Sequence, residues 1–219
     1  MTASVEHLGD EALLLRLGDR IDAEVNAQVH ALAATLDATR PPWVRDIVPA
    51  YATVAVFVDV SGAPDALALA EAWLMATLRE PTAALPASAP RTLEIPVHFG
   101  SDDGPDLALI ASAAGLSEAE AVERFCAPAY QVAMLGFAPG FPYLLGLDPV
   151  LAMARMDTPR TRVAAGSVGI GGAQAGIYPR EGPGGWRIVG RTPRGLFDAE
   201  REPPALLGPG DRVRFVAAR

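Results

Sequence analysis

The first eighty residues alternate between two hydrophobic periods. Val5 to Leu8 and Ala12 to Leu17 are short, largely apolar runs joined around Gly9-Asp10, with Leu13 and Leu15 on one side against Leu14 and Arg16 on the other. That two-residue period predicts an opening β-hairpin. From Asp22 the period changes to 3.6: Val25, Val29, Leu32 and Leu36 fall on one stripe, Asp22 is placed to cap it, and Arg40-Pro41-Pro42 ends it. His30 lies beside that stripe with no ligating partner at i+4, and reads as a surface or half-buried residue. Val44 to Val48 and Thr53 to Val58 return to the strand pattern. Pro64 then opens a second helix carrying Leu67, Ala70, Trp73, Leu74 and Leu78, stopped at Glu80-Pro81. Strand-strand-helix, twice over, predicts an α+β domain with both helices on one face of a small sheet.

Residues 80 to 90 (EPTAALPASAP) have three prolines and no hydrophobic period, which places a domain boundary there: one domain over 1–85, another over 91–219. Beyond it, Leu93, Ile95, Val97 and Phe99 alternate as a strand, with His98 on the opposite face as a candidate site residue. Asp106 to Ala114 reads as a short helix ended by Gly115, and Ser117 with Glu120 as a capping box opening a second helix through Phe125. From Tyr130 to Trp186 glycine and proline punctuate nearly every turn between aromatics and arginines, a composition for tight corners between short strands. Gly208-Pro209-Gly210-Asp211 turns into a last strand, Arg212 to Val216. Many short strands in one domain are best accommodated by a closed or nearly closed barrel.

Composition narrows the function classes. No run of about 18 uncharged apolar residues is present, and Glu6 and Asp10 stand where a signal peptide needs basic residues, so a cytoplasmic location is expected. Cys126, the single cysteine, excludes an internal disulfide and reads as a buried structural thiol. The net charge of −8 argues against nucleic acid or an anionic membrane as partner. Residues 155 to 194 run the other way, with seven arginines against Asp157 and Glu181, and suit a small anionic ligand. There is no lysine, which removes a P-loop lysine, a Schiff-base lysine and the Ser-Ser-Lys set of amidase-signature enzymes.

Generic motifs fail. Gly166 to Gly172 has Gln174 where a third dinucleotide-loop glycine belongs, Ala165 stands where a nucleophile elbow needs glycine before Ser167, and the three histidines have no metal-ligand spacing. The specific signal is an ordered array: GFAPGFPYLLGL, TPRTRVAAGSVGIGG, QAGIYPREGPGGWRIVGRTP and LLGPGDRVRF, preceded by HLGDEALLLRLGD, IVPAY and VHFGSDDGPDL. It closely resembles the family of bacterial 5-oxoprolinase B subunits, also called allophanate hydrolase subunit 1 or the sporulation-kinase-inhibitor (KipI) family, over nearly the whole chain. The resemblance implies a small N-terminal α+β domain followed by a cyclophilin-like β-barrel. It marks Arg160, Ser167 and Gln174 as catalytic positions. As substrate-binding it marks Phe137, Pro139, Gly140, Phe141, Tyr143, Gly166, Tyr178, Pro183, Gly184, Gly185, Trp186 and Arg191, and it implies no metal ligand. The chain departs from the pattern where many relatives carry His and this one has Phe125, and at Ala164, where several have Pro.

What the resemblance implies about activity is ATP-dependent opening of the 5-oxoproline lactam to glutamate, in a complex with the A and C subunits of 5-oxoprolinase, the latter being the allophanate hydrolase subunit 2 homologue. ATP would be shared with a partner, with Mg as a candidate companion ion. Arginine forks, backbone N–H groups at glycine corners and aromatic walls are the means such a site has for holding an anion in a dry environment. Two alternatives are a regulator that binds and inhibits a sensor histidine kinase, and half of a biotin-dependent carboxyltransferase or allophanate hydrolase-type complex.

Overall fold

The structure is a computed structural model that describes residues 3–79 and 91–218. The proline-rich boundary expected at 80–90 lies outside the described residues. The chain divides into two compact units, over 1–89 and 90–219.

In the first unit β1 (Ser4–His7), β2 (Ala12–Arg16), β3 (Val44–Pro49) and β4 (Thr53–Val58) form an antiparallel sheet in the order β1-β2-β4-β3. Helices α1 (Ala23–Ala38) and α2 (Ala66–Arg79) cover it. The expected alternation holds: Leu13 and Leu15 are fully buried, and they form one core with Val54, Val56 and Val58, with Val29, Leu32 and Leu36 from α1 and with Ala66, Ala70 and Leu74 from α2. Asp22 caps α1, its carboxylate accepting from the Glu24 and Val25 N–H groups at 2.9 and 3.1 Å. Asn26, fully buried on that helix, donates to the Ala50 and Tyr51 carbonyls. It ties α1 to the turn between β3 and β4, a polar tether that periodicity does not show.

In the second unit the elements are β5 (Thr92–Phe99), α3 (Leu107–Ala113), α4 (Glu118–Cys126), β6 (Tyr130–Leu135), β7 (Pro142–Leu145), a 3₁₀ turn (Pro149–Leu151), β8 (Arg160–Val163), β9 (Ser167–Gly171), β10 (Gln174–Ile177), β11 (Gly182–Gly184), β12 (Arg187–Arg191) and β13 (Arg212–Ala217). Seven strands close a barrel in the order β10-β7-β6-β13-β5-β12-β9, while β8 and β11 pair separately. The last strand lies parallel to the first, Val213 opposite Leu93 and Phe215 opposite Ile95, and that pairing completes the closure. Inside are Ile95, Val97, Tyr130, Val132, Leu144, Val168, Ile170, Ile177, Val189, Val213 and Phe215. The capping box forms as predicted: Ser117 Oγ accepts from the Glu120 N–H and Glu120 accepts from the Ser117 N–H.

Phe125 belongs to this core. It is 2% exposed and packs on Tyr130 and Phe215 with ring centroids 5.5 and 5.0 Å apart, and the Tyr130 hydroxyl donates to its carbonyl. A residue so placed fills volume and faces neither concavity described below. Cys126 is half-buried rather than buried, its thiol pushed up first by desolvation.

Candidate functional site

The β6–β7 corner builds one wall of an aromatic pocket. The Ala138 and Phe141 N–H groups close it by donating to the Gly136 and Ala138 carbonyls at 2.7 and 2.9 Å. At the corner Phe137 takes a left-handed φ of 65° and is 65% exposed, so an aromatic ring is held at the surface in a conformation that costs about 1–2 kcal/mol for a residue with a Cβ. Phe141, buried beneath it, is the hub of an edge-to-face cluster: Phe137 at 5.4 Å, Tyr178 at 5.3 Å and Trp186 at 5.5 Å, with Tyr143 at 5.8 Å from Trp186. Glycine makes room for these rings. A Cβ on Gly176 would stand 2.9 Å from both Phe141 and Trp186. Burial pushes the Tyr178 hydroxyl up, against the opposing pull of the Trp186 backbone N–H that bonds to it. These rings, with Met156, Pro159, Gly184 and Gly185, enclose about 160 Å³, and the Arg155 guanidinium lies 5.4 Å over the Trp186 ring.

A charged cleft of about 370 Å³ lies between the loop before α3 and the β8, β9 and β12 strands. Arg160, Arg162 and Arg191 line it together with Asp102, Asp103, Glu181 and Ser167. Each arginine holds a carboxylate: Arg160 Nη2 to Asp106 Oδ1 at 2.9 Å, Arg162 Nε to Glu181 Oε2 at 2.8 Å, and Arg191 Nη1 to Asp103 Oδ1 at 3.5 Å. The loop carrying the two acids is fastened to β12, the Gly100 N–H donating to the Val189 carbonyl and the Asp106 N–H to the Ile188 carbonyl. Asp106 stands at the N-cap position of α3, yet its side chain caps nothing there. One oxygen accepts from the Ile188 N–H at 2.6 Å and the other holds Arg160, so a buried carboxylate joins β12 to β8. Gly166 turns the chain into Ser167 with φ +81°, and a Cβ there would lie 2.1 Å from the Thr192 carbonyl oxygen.

Arg160 stands at the partition between the two concavities. It lines the cleft, while its Nη1 donates to Met156 Sδ and the Trp186 carbonyl, which border the aromatic pocket. Of the residues singled out in the sequence, Phe137, Phe141, Tyr143, Tyr178, Gly184, Gly185 and Trp186 meet at the pocket. Arg160, Ser167 and Arg191 meet at the cleft. Gly140 and Gly166 are backbone corners that shape the walls. Pro139 and Pro183 are exposed, and Gln174 is buried in β10 and lines neither concavity. His98 is exposed on β5 and also lies away from both. Sequence reasoning missed Asp102, Asp103 and Asp106. Their signal was the acidic run DDGPD at 102–106, which enters the sequence reading only as part of the VHFGSDDGPDL segment and as the start of a helix at Asp106. Among the described residues no three His, Cys, Asp or Glu side chains come together to hold a metal ion.

The carboxyltransferase domain, subdomain C and D, family matches residues 3–207. The chain is 38% identical to a 5-oxoprolinase B subunit of Bacillus subtilis, over 97% of this chain and 91% of that protein. It is 41% identical to a 5-oxoprolinase B subunit of Escherichia coli O157:H7, over 95% and 93%. Among solved structures, TTHA0988 superposes with a TM-score of 0.82 at 38% identity, covering 96% of this chain but 40% of TTHA0988, so the chain spans less than half of that longer relative. Matched along nearly its full length on all these counts, the chain belongs to the carboxyltransferase domain, subdomain C and D, family, alongside the 5-oxoprolinase B subunits.

Proposed function

We propose that the chain is the B subunit of an ATP-dependent 5-oxoprolinase, opening the lactam of 5-oxoproline to glutamate together with the A and C subunits. The observation that carries this reading is the near-full-length likeness to two proteins of that name. The geometry supports it. 5-Oxoproline is a small flat ring bearing one carboxylate, and an aromatic-walled pocket of about 160 Å³ with Arg155 over its Trp186 wall offers apolar faces for the ring and a cation for the acid. Arg160, which lines the cleft and bonds to Met156 and Trp186 at the border of the pocket, is the catalytic candidate, Ser167 faces the cleft, and Gln174 is left a supporting place in β10.

Opening the ring breaks the amide C–N bond, adds the oxygen of water to the carbonyl carbon and leaves a proton on nitrogen. This chain's contribution is to orient the ring, exclude water from its faces and hold the carboxylate. Its residues do not fit a triphosphate. Lysine is absent, and the glycine-rich run at 166–172 is strand β9 and its turn rather than a phosphate-cradling loop that opens a helix. The nucleotide is therefore assigned to a partner protein or to a surface shared with one. That a longer relative continues well beyond the part matched here favours a site completed by additional chain. Co-expression with the partner proteins and an assay of ATP-dependent glutamate release from 5-oxoproline tests the reading; a well-folded complex that releases none sinks it. A second reading, half of a biotin-dependent carboxyltransferase, is favoured by the family's carboxyltransferase description, and carboxylation of an acceptor by a biotin-carrying partner separates the two.

A further inference from the structure

The cleft is balanced in charge, which is not what a site for a plain anion needs. Its arginines each face an acid, and the pairs differ in kind. Arg160–Asp106 is the sheltered one, with side-chain exposures of 26% and 9%. Arg162–Glu181 and Arg191–Asp103 are open, at 77% and 50% and at 52% and 38%, and exposed ion pairs of this kind hold weakly and exchange readily. Ser167 adds a hydrogen-bonding group to the wall. As a residue it is 4% exposed and it lines the cleft, and its hydroxyl makes no hydrogen bond among the described residues. A hydroxyl both donates and accepts, so one that lines the cleft without a protein partner is available to whatever occupies it.

We infer that the cleft recognises a dicarboxylic α-amino acid, a ligand bearing both carboxylates and an ammonium. A plain dianion seated on Arg162 and Arg191 would leave Glu181 and Asp103 as unpaired negative charges beside it. An amino acid whose carboxylates take the arginines presents its ammonium between the acids it has displaced, and so offsets one of the two negative charges that a plain dianion would leave unpaired. The identity of the amino acid rests on the proposed function: opening the lactam turns an uncharged amide into one carboxylate and one ammonium, so the product carries both signs while the substrate carries a single carboxylate. On this view the cleft receives glutamate, and the aromatic pocket beside it holds the ring.

The test is calorimetric titration of the full chain with L-glutamate and with glutarate, which has the same two carboxylates and no ammonium. L-Glutamate is expected to bind saturably and about tenfold more tightly than glutarate, the worth of one ammonium–carboxylate contact. Asp103→Asn should shrink that preference to less than about threefold by removing one acid that reads the ammonium. Glu181→Gln, on the other open pair, provides the same reading should Asp103→Asn fold poorly. Equal binding of the two ligands, tighter binding of glutarate, or no glutamate binding at millimolar concentration overturns the inference. The proposed function fails separately. A complex that converts 5-oxoproline although this chain binds no glutamate refutes the cleft assignment alone, whereas glutamate binding in a complex with no lactam-opening activity refutes the function and leaves an amino-acid site.

Discussion

Arg160 carries more structural duty than its place in the sequence foretold. In Thr158-Pro159-Arg160 the proline restricts the residue before it, so the arginine enters from a partly fixed backbone, as a guanidinium aimed at a ligand would. The guanidinium is also the partner of buried Asp106 and a donor to Met156 and Trp186. Arg160→Ala is therefore expected to lower stability by about 2 kcal/mol, because it strands a carboxylate that is 6% exposed. Arg160→Lys keeps a charge near Asp106 and should fold nearly as well, but it loses the planar fork and should cost about 2 kcal/mol or more in turnover of the assembled complex. Thermal melting and turnover measured on both variants decide this: full activity in Arg160→Lys makes the residue structural only. At Gly176 the limit is space. Gly176→Ala drives a methyl into Phe141 and Trp186 and should cost about 1–3 kcal/mol, with a changed near-ultraviolet dichroism from the displaced rings.

At the scale of elements, local rules predicted well wherever both ends of a segment were marked in the sequence. The hairpin at 4–16, α1 with its Asp22 cap and α4 with its capping box formed where periodicity and caps agreed. Ser117→Ala should cost about 1 kcal/mol, read from the melting midpoint. The caps also carry a pH signature. Asp22 and Asp148 are held below the ordinary carboxylate range chiefly by the backbone N–H groups they accept from, Glu120 chiefly by its bonds to Ser117. A carboxyl group with a depressed folded value contributes its stability above the unfolded value and loses it as the pH falls through the folded one. Stability should thus fall from the ordinary carboxylate range downward, and Asp22→Asn should flatten that part of the melting-versus-pH curve; an unchanged curve would show that the cap bonds are not the source. Helix α3 is where local reasoning fell short, since Asp106 read as the first residue of a helix and its side chain serves as a strut between strands.

For the whole molecule, we propose that the two compact units are independent folding domains, and a fragment beginning at Arg91 is expected to keep the barrel's melting transition and far-ultraviolet dichroism. An unfolded fragment would mean that the barrel depends on the first unit. The isolated full-length chain is expected to release no glutamate from 5-oxoproline and ATP, because it has no lysine and its glycine-rich run is a strand rather than a phosphate-binding loop. Robust turnover by the chain alone would overturn the assignment of the nucleotide to a partner.

The sequence by itself determined the strands and helices of the first unit, β5, α3, α4 and β13, the Asp22 and Ser117 caps, the α+β class and the expectation of a barrel, because period and capping are local properties carried by neighbouring residues. It also marked the aromatic pocket, since Gly-Pro corners and rings lie close together in the chain. Only the tertiary structure decided the parallel pairing of β5 with β13, whose partners are 120 residues apart at Arg212 and Thr92. It alone decided, too, that the arginines read as anion binders each meet an acid. Asp106 is 54 residues from Arg160 and 82 from Ile188, and no local pattern carries a contact that exists only once the barrel has closed. A surplus of positive charge was legible along the segment, but its neutralisation was not, because charge sums along a chain while ion pairs form across space.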